Sequence, residues 1–442
     1  MLTPIRSWHA GWGWVDGAAR TDVRLTAEGE RLVRVEHGVP PAEGDTRLPG
    51  LVLPGLANAH SHAFHRALRG RTHAGRGDFW TWREAMYAVA VALDPGSLHG
   101  LALAAYAEMA LAGITAVGEF HYVHHRPDGR PYDDPNAMAE ALVAAAAEAG
   151  VRLTLLDTCY LHGGVDGRPL DERQRRFGDG SAAAWAERVA ALGEGGPGWR
   201  PGAAIHSVRA VDPAAMAEVA AFAATHRMPL HLHLSEQPAE NEACLAATGR
   251  TPAGLADDCG VLGPSTTAVH ATHLTAVDVA LLGGAGTSVC LCPTTERDLA
   301  DGIGPAADLA AAGSPLCLGS DSHAVVDLFE EARAVELDER LRTGRRGHHD
   351  PAALLAAATA GGAASLGWDA GELAPGRLAD FCAVDLSSPR LAGADPGQVV
   401  FAATAADVTE VVVGGEPVVR DRAHVRVADV GAALRRAVAA VP

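Results

Sequence analysis

Eight short apolar runs, separated by longer stretches, constrain the fold of this chain most strongly. They span residues 51–57, 114–119, 152–158, 202–207, 229–234, 267–271, 287–291 and 315–319. Such continuous apolar runs are typical of parallel strands that are buried on both faces. Alanine-rich helical stretches lie between them, at residues 97–112, 135–149, 182–192, 213–226 and 304–312. The alternation predicts an α/β fold, a (β/α)8 TIM-type barrel. A doubly wound sheet is the alternative, but no Gly-x-Gly-x-x-Gly motif follows the first run.

The two ends of the chain show a different pattern, with short strand-like runs divided by Gly, Pro and Asp. Near the C-terminus, residues 408–413 and 416–419 flank Gly414-Gly415 and predict a β-hairpin. We therefore predict three parts. Residues 1–52 form the N-terminal part of a small β-sandwich domain, residues 53–368 form the barrel, and residues 369–442 add the C-terminal part and a terminal helix.

The charge and composition of the chain limit the kinds of molecule that it is expected to bind. The formal net charge of −18 disfavours nucleic acid and anionic membrane surfaces. No apolar run is long enough to span a bilayer, and the N-terminus lacks the pattern of a signal peptide. The seven cysteines are scattered, odd in number and without a Cys-x-x-Cys pair. This usage predicts a cytoplasmic protein. The predicted partner is a small-molecule substrate, not a nucleic acid or a membrane.

Every one of the 36 basic residues is arginine. The absence of lysine excludes Schiff-base chemistry, a P-loop lysine and a lysine carbamate that bridges two metal ions.

Histidine and carboxylate side chains follow several of the predicted strands, where the chemistry of such a barrel is located. The first strand ends at His60-Ser-His62, the fifth contains His231-Leu-His233, and the eighth is followed by Asp321. Three imidazoles and one carboxylate suit Zn²⁺ and leave room for a water molecule, and iron or manganese would also be tolerated. Spacing alone leaves either His231 or His233 as the ligand from the fifth strand.

The order of these motifs resembles the amidohydrolase superfamily, in its mononuclear, deaminase-like branch, over nearly the whole chain. The resemblance implies one metal ion per chain, held by His60, His62, His233 and Asp321. It also implies that hydroxide formed on the metal is the nucleophile, and that the catalytic residues are Glu236, His270 and Asp321. His231 would then pack beside its neighbour or orient it.

A further set of motifs resembles the formimidoylglutamate deiminase family. These are Asn-x-His-Ser-His-Ala-Phe, Phe-Trp-Thr-Trp-Arg-Glu-x-Met-Tyr, Gly-Glu-Phe-His-Tyr, His-Ser-x-Arg-Ala-Val, His-x-His-x-x-Glu-Gln, Val-His-Ala-Thr-His-Leu, Pro-Thr-Thr-Glu and Gly-Ser-Asp-Ser-His. The family converts N-formimidoyl-L-glutamate to N-formyl-L-glutamate and ammonia in histidine degradation. The resemblance implies that the substrate is bound by Arg83, Tyr122, His206 and Arg209, and suggests a homodimer. Guanidinium groups suit an anionic substrate, because they pair with carboxylates in a bidentate manner.

One position departs from this family. His65 stands where the family usually has a glutamine of the substrate-binding shell, and we expect His65 to bind the substrate there in its place. Its different reach is expected to alter substrate affinity or the choice of acyl group. Two alternatives stay open. One is a deaminase of a purine, a pyrimidine or another N-formimidoyl amino acid, and the other is an inactive barrel that serves as a binding module.

Overall fold

Two eight-stranded sheets form the framework of the computed structural model, which describes residues 4–73 and 79–442. In chain order the strands are β1 (Ile5–Val15), β2 (Ala18–Glu28), β3 (Arg31–Glu36), β4 (Thr46–Pro54), β5 (Leu56–Ser61), β6 (Ile114–His121), β7 (Arg152–Cys159), β8 (Trp199–Ile205), β9 (Leu230–Leu234), β10 (Thr266–His270), β11 (Ser288–Leu291), β12 (Leu316–Leu318), β13 (Phe381–Val384), β14 (Val408–Val413), β15 (Glu416–Arg420) and β16 (Ala423–His424).

Helices follow most of the strands from β5 to β12. In chain order they are α1 (Phe79–Ala92), α2 (Pro95–Leu111), α3 (Ala137–Ala149), α4 (Ala182–Ala190), α5 (Pro213–His226), α6 (Pro238–Thr248), α7 (Pro252–Asp258), α8 (Ala276–Ala285), α9 (Pro293–Asp298), α10 (Ala306–Ala312), α11 (Leu328–Thr343), α12 (Pro351–Ala356), α13 (Gly362–Ser365) and α14 (Val430–Ala439). Short 3₁₀ helices span Ala63–Leu68, Arg175–Phe177, Pro396–Phe401 and Ala405–Asp407, and a π-helical turn spans Ala357–Gly361. Helix α5 matches its predicted range, because Asp212 caps it and Pro213 suits its first position.

Strands β5 to β12 are parallel and lie side by side in chain order. The ring closes after β12, where the Asp321 N–H donates to His60 O at 3.0 Å and the His62 N–H donates to Asp321 O at 3.3 Å. Gly319 permits this contact, because a Cβ there would lie 2.7 Å from the Cβ of His60. The predicted (β/α)8 barrel is confirmed, and its closure brings two candidate ligand segments together.

The prediction that residues 51–57 form one strand is wrong. Strand β4 ends at Pro54 and belongs to the other sheet, which contains β1–β4 and β13–β16 and is called the outer sheet below. Strand β5 begins the barrel at Leu56. Gly55 stands between them. Its N–H donates to Asp380 O at 3.0 Å, next to β13, whereas the Leu56 N–H donates to Gly113 O at 3.1 Å, next to β6. Only glycine fits at position 55, because a Cβ there would clash with the side chain of Thr115. The other seven runs correspond to β6 through β12 with small shifts at their ends.

The outer sheet combines both chain ends in the order β16-β15-β14-β13-β4-β1-β2-β3. It folds over on itself, because the Leu32 N–H donates to Arg377 O at 2.9 Å, next to the start of β13. The rings of Trp8 and Phe381 then meet across its core, with centroids 5.1 Å apart. The small β domain made by both chain ends is confirmed. The residue bounds 1–52, 53–368 and 369–442 remain a prediction.

A buried ion pair joins the outer sheet to the barrel. Arg152 donates through Nε to Asp380 Oδ2 at 2.6 Å and through Nη2 to Asp380 Oδ1 at 3.1 Å, and the carboxylate is fully buried. Replacing Asp380 by asparagine is expected to lower the free energy of unfolding by about 3 kcal/mol, because it leaves a buried charge poorly compensated. Urea denaturation measures this change.

The matched control is Asp369→Asn, since Asp369 pairs with Arg31 at 2.7 Å on the surface. Exposed pairs contribute less than about 1 kcal/mol. Equal destabilisation by the two variants would contradict a structural role for the buried pair.

Within the described residues, no helix combines the length and the apolar character needed to cross a bilayer. All seven cysteines have free thiols.

Candidate metal centre and active site

The four predicted metal ligands converge at the carboxyl ends of β5 and β9 and just after β12. Asp321 Oδ1 lies 3.3 Å from His60 Nε2 and 3.4 Å from His62 Nε2. His233 Nε2 lies 3.1 Å from His60 Nε2. All four side chains are buried, so one small volume is surrounded by three imidazole nitrogens and a carboxylate.

Backbone carbonyls orient two of these imidazoles. His62 Nδ1 lies 2.9 Å from Phe120 O, and His233 Nδ1 lies 2.9 Å from His206 O. Each Nδ1–H can donate to its carbonyl, which leaves the Nε2 lone pair directed at the centre. Burial lowers the pKa of both histidines, so the rings are neutral, as metal ligands must be. This donor set fits Zn²⁺.

His231 occupies a different position. Its Nε2 lies 3.0 Å from Ser365 O, in the segment that follows the barrel strands. Because side chains alternate along a strand, His231 and His233 would share a face of a regular strand. The structure nevertheless brings His233 to the other ligands and packs His231 against α13.

The predicted catalytic residues border the same volume. His270 Nε2 lies 3.8 Å from Glu236 Oε1 and 3.8 Å from Asp321 Oδ2. Its Nδ1 lies 3.4 Å from Oε1 of Glu296, which the sequence analysis did not assign. Burial alone would lower the pKa of His270, but the negative charge of Glu236 and the hydrogen bond to Glu296 raise it well above its usual value. His270 is therefore suited to donate a proton.

Asp321 has the opposite character. Burial would raise its pKa, but the hydrogen bond to His60 and the neighbouring imidazoles hold it well below the usual range. His270 and Asp321 also have left-handed backbone conformations, with φ values of 70° and 40°. Strained conformations of this kind cluster at functional sites.

A cavity opens beside this centre and is bordered by Glu236, His270 and Asp321. All five predicted substrate-binding residues line it, namely His65, Arg83, Tyr122, His206 and Arg209. Aromatic and apolar side chains complete the wall, among them Trp82, Met86, Tyr87, Tyr160 and Phe177. Arginine side chains therefore face the same space as the candidate hydrolytic centre.

Neighbouring side chains hold the predicted substrate-binding residues in place. Arg83 donates through Nε and Nη2 to Tyr87 OH, at 3.1 and 2.8 Å. His65 Nε2 lies 3.1 Å from Tyr122 OH, and burial lowers the pKa of His65 to about 3, so the ring is neutral. Tyr87 was not predicted, although its position four residues after Arg83 on α1 places both on one helix face.

A family model described as "Amidohydrolase family" matches residues 51–418. The chain belongs to the amidohydrolase family. This amidohydrolase is a hydrolase of C–N bonds, in a superfamily branch that contains deaminases.

Three proteins, one known by sequence and two by structure, are similar to this amidohydrolase over most of its length. A formimidoylglutamate deiminase from Pseudomonas aeruginosa is 41% identical over 400 residues, which cover 87% of this chain and 88% of that protein. A crystal structure of an amidohydrolase from Brucella melitensis is 33% identical, with a TM-score of 0.90, and covers 98% of this chain and 99% of that one. An adenosine deaminase from Xanthomonas campestris with bound zinc is 26% identical, with a TM-score of 0.83, and covers 98% of this chain and 97% of that one.

The buried carboxyl group of Glu119 holds the backbone and side chain on both sides of the predicted metal ligand His62. Glu119 accepts the Ala63 N–H at 2.7 Å and the Ser61 hydroxyl at 3.0 Å, which brackets His62. Burial raises the pKa of Glu119 to about 8, against the effect of these hydrogen bonds. Sequence reasoning missed this role, although Glu119 stands in the motif Gly-Glu-Phe-His-Tyr.

Glu119 should make stability depend on pH. Because its pKa is raised on folding, its contribution to stability is complete below the unfolded pKa and is lost as the pH rises through the folded value of about 8. The variant Glu119→Gln removes this loss, so its urea midpoint should change less than that of the wild type between about pH 5 and about pH 8. Glu148→Gln on the surface of α3 is the control, and equal pH dependence in all three proteins would contradict the assignment.

Proposed function

We propose that this amidohydrolase hydrolyses N-formimidoyl-L-glutamate to N-formyl-L-glutamate and ammonia, a step of histidine degradation. The observation that carries the proposal is that Arg209 and Asp321 line one cavity. A hydrolytic centre and a site for carboxylates therefore share the space that one substrate would fill. The 41% identity to a formimidoylglutamate deiminase from Pseudomonas aeruginosa supports this substrate.

The charges of the cavity match the proposed substrate. N-formimidoyl-L-glutamate has two carboxylates and an amidine, which is cationic when protonated. Arg83 and Arg209 are suited to the carboxylates, since guanidinium binds them through paired hydrogen bonds. Tyr122 and His206 line the same wall and offer further hydrogen bonds. A neutral purine would gain little from two arginines, which is why we favour the amino-acid derivative.

We propose His60, His62, His233 and Asp321 as the residues that hold one metal ion. Zn²⁺ there would lower the pKa of a coordinated water and supply a nucleophile at neutral pH, and iron or manganese would serve similarly. Asp321 accepts the proton of the attacking water because its carboxylate is ionised. His270 donates a hydrogen bond to the oxygen that joins the formimidoyl carbon.

Glu236 completes the proton transfers. It lies 3.8 Å from His270, on the side of the centre that faces the cavity. From there its carboxylate binds the protonated amidine, takes over the proton that Asp321 accepted from water, and passes it to the terminal nitrogen as the tetrahedral intermediate collapses. Asp321 then accepts the hydroxyl proton of the intermediate. The terminal nitrogen then leaves as ammonia, and the oxygen of water remains in the formyl product.

Ammonia release from N-formimidoyl-L-glutamate tests the function. The metal-loaded enzyme should form ammonia and N-formyl-L-glutamate in equal amounts. Removal of the metal by a chelator should lower kcat by at least about 100-fold, and added Zn²⁺, Fe²⁺ or Mn²⁺ should restore it. Metal analysis of each sample confirms the loading.

The proposal is wrong if the loaded enzyme releases ammonia from adenosine or guanine but not from N-formimidoyl-L-glutamate. An inactive barrel predicts no ammonia from any of these compounds. A homodimer and a cytoplasmic location remain predictions, and light scattering would test the first.

A further inference from the structure

Glu240 is a buried carboxyl group on α6 that lies behind the arginine of the substrate cavity. Its side chain is about as buried as the metal ligands, at 3% exposure for the residue. Its Oε1 lies 3.9 Å from Arg209 Nε, which is too long for a hydrogen bond. Among the described residues, neither of these two atoms has a hydrogen-bond partner. The attraction between Arg209 Nε and Glu240 Oε1 is therefore ionic and not a hydrogen bond.

Arg209 stands between two spaces. It lines the catalytic cavity, and it also lines an adjoining outer cavity. Glu240 borders the outer cavity, whereas the proposed substrate binds in the inner one. The guanidinium thus has a protein carboxyl group on one side and the place of a substrate carboxylate on the other.

We infer that Glu240 is a positioning residue that serves as a proton-linked counter-charge to Arg209. It pairs with Arg209 in the free enzyme and takes up a proton when a substrate carboxylate binds to that arginine. This inference rests on the proposed function only in requiring an anionic ligand beside Arg209.

The surroundings of Glu240 explain why its charge can change. Burial raises its pKa to about 7, although the charge of Arg209 lowers it, and the negative charge of Glu236 raises it further. A hydrogen bond from the Glu236 N–H and the charge of His270 act in the opposite direction. Other charged groups that line the outer cavity are Arg83, Asp166 and Arg168. Near neutral pH, both forms of Glu240 are therefore populated.

Ligand binding should favour the protonated form. A second carboxylate near Arg209 disfavours the ionised form of Glu240, because like charges in a buried site raise the pKa. Binding is then strongest where Glu240 is already protonated and weakens as the pH rises through its free-enzyme pKa. If the ligand raises that pKa by one unit, the affinity falls by about fivefold between about pH 6 and about pH 8, and by about tenfold over the whole titration.

Titration calorimetry with N-formyl-L-glutamate, in buffers of different ionisation enthalpy, measures the proton uptake directly. The metal-loaded wild type should take up a fraction of a proton per site near pH 7. Glu240→Gln and Glu240→Met should lose most of this uptake and show a flatter pH profile of Kd and KM. Glu242→Gln, on the exposed side of the same helix, is the control and should behave like the wild type.

Three results would overturn the inference, and the first two concern proton uptake. One is equal proton uptake in the wild type and in a folded Glu240 variant, and the other is no uptake by the wild type at any pH between about 6 and 8. Failure of the proposed function looks different, because N-formyl-L-glutamate could still bind with proton uptake while N-formimidoyl-L-glutamate released no ammonia. Failure of N-formyl-L-glutamate to bind would overturn the inference as well.

Discussion

Replacing Asp321 by asparagine is expected to lower kcat for N-formimidoyl-L-glutamate by at least about 10³-fold and leave a folded protein. The carboxylate lies within 3.4 Å of His60 and His62 and within 3.8 Å of His270. It therefore has two proposed roles, as a metal ligand and as the acceptor of a proton. Asparagine keeps the shape of the side chain but is neutral and accepts no proton.

Kinetics, metal content and circular dichroism should be measured on the same preparation of Asp321→Asn. A reduced metal content with an unchanged spectrum would locate the loss in the centre itself. Asp308→Asn, on the exposed side of α10, is the matched control and should keep wild-type kcat. Wild-type kcat in a metal-loaded Asp321→Asn would exclude Asp321 as the proton acceptor.

The architecture was largely predictable because burial of a parallel strand imposes a continuous apolar run. The same property hides strand ends, as at Gly55, where one apolar run serves two sheets. The crowding by Thr115, from a different strand, explains why this position is glycine. A contact of this kind leaves no local trace in the sequence.

Some residues of the candidate site were predictable from the sequence, and others were not. His60 and His62 were predicted because their motif is local and lies at a strand end, where a barrel concentrates chemistry. Glu296 and Glu240 were missed, since each acts on a residue from another segment, namely His270 and Arg209. For Glu296 the signal would have been a carboxylate directly after a buried stretch, whereas the neighbours of Glu240 in sequence are mostly exposed and gave no signal. Spacing alone did not separate His231 from His233. The family resemblance favoured His233, and the contact of His231 with Ser365 shows where the other imidazole lies.

Replacing Arg209 by methionine is expected to lower kcat/KM for N-formimidoyl-L-glutamate by about 10² to 10³-fold, mainly through KM. Methionine replaces the aliphatic stem of arginine and suits an apolar wall, so the packing around the stem should be kept. What is lost is the cation that faces the substrate carboxylate. The loss is larger than for a surface pair, because the guanidinium lies in a cavity with restricted access of water.

Arg250→Met is the matched control for this variant. Arg250 forms a surface ion pair with Asp258 at 2.7 Å and has no place in the cavity, so kcat/KM should stay near the wild-type value. Steady-state kinetics with N-formimidoyl-L-glutamate and with a neutral formamidine of similar length separates charge from shape. The neutral compound should lose little when Arg209 is replaced. If Arg209→Met instead lowered kcat for both compounds equally and left KM unchanged, Arg209 would act on the reaction centre, and the carboxylate site would have to lie elsewhere.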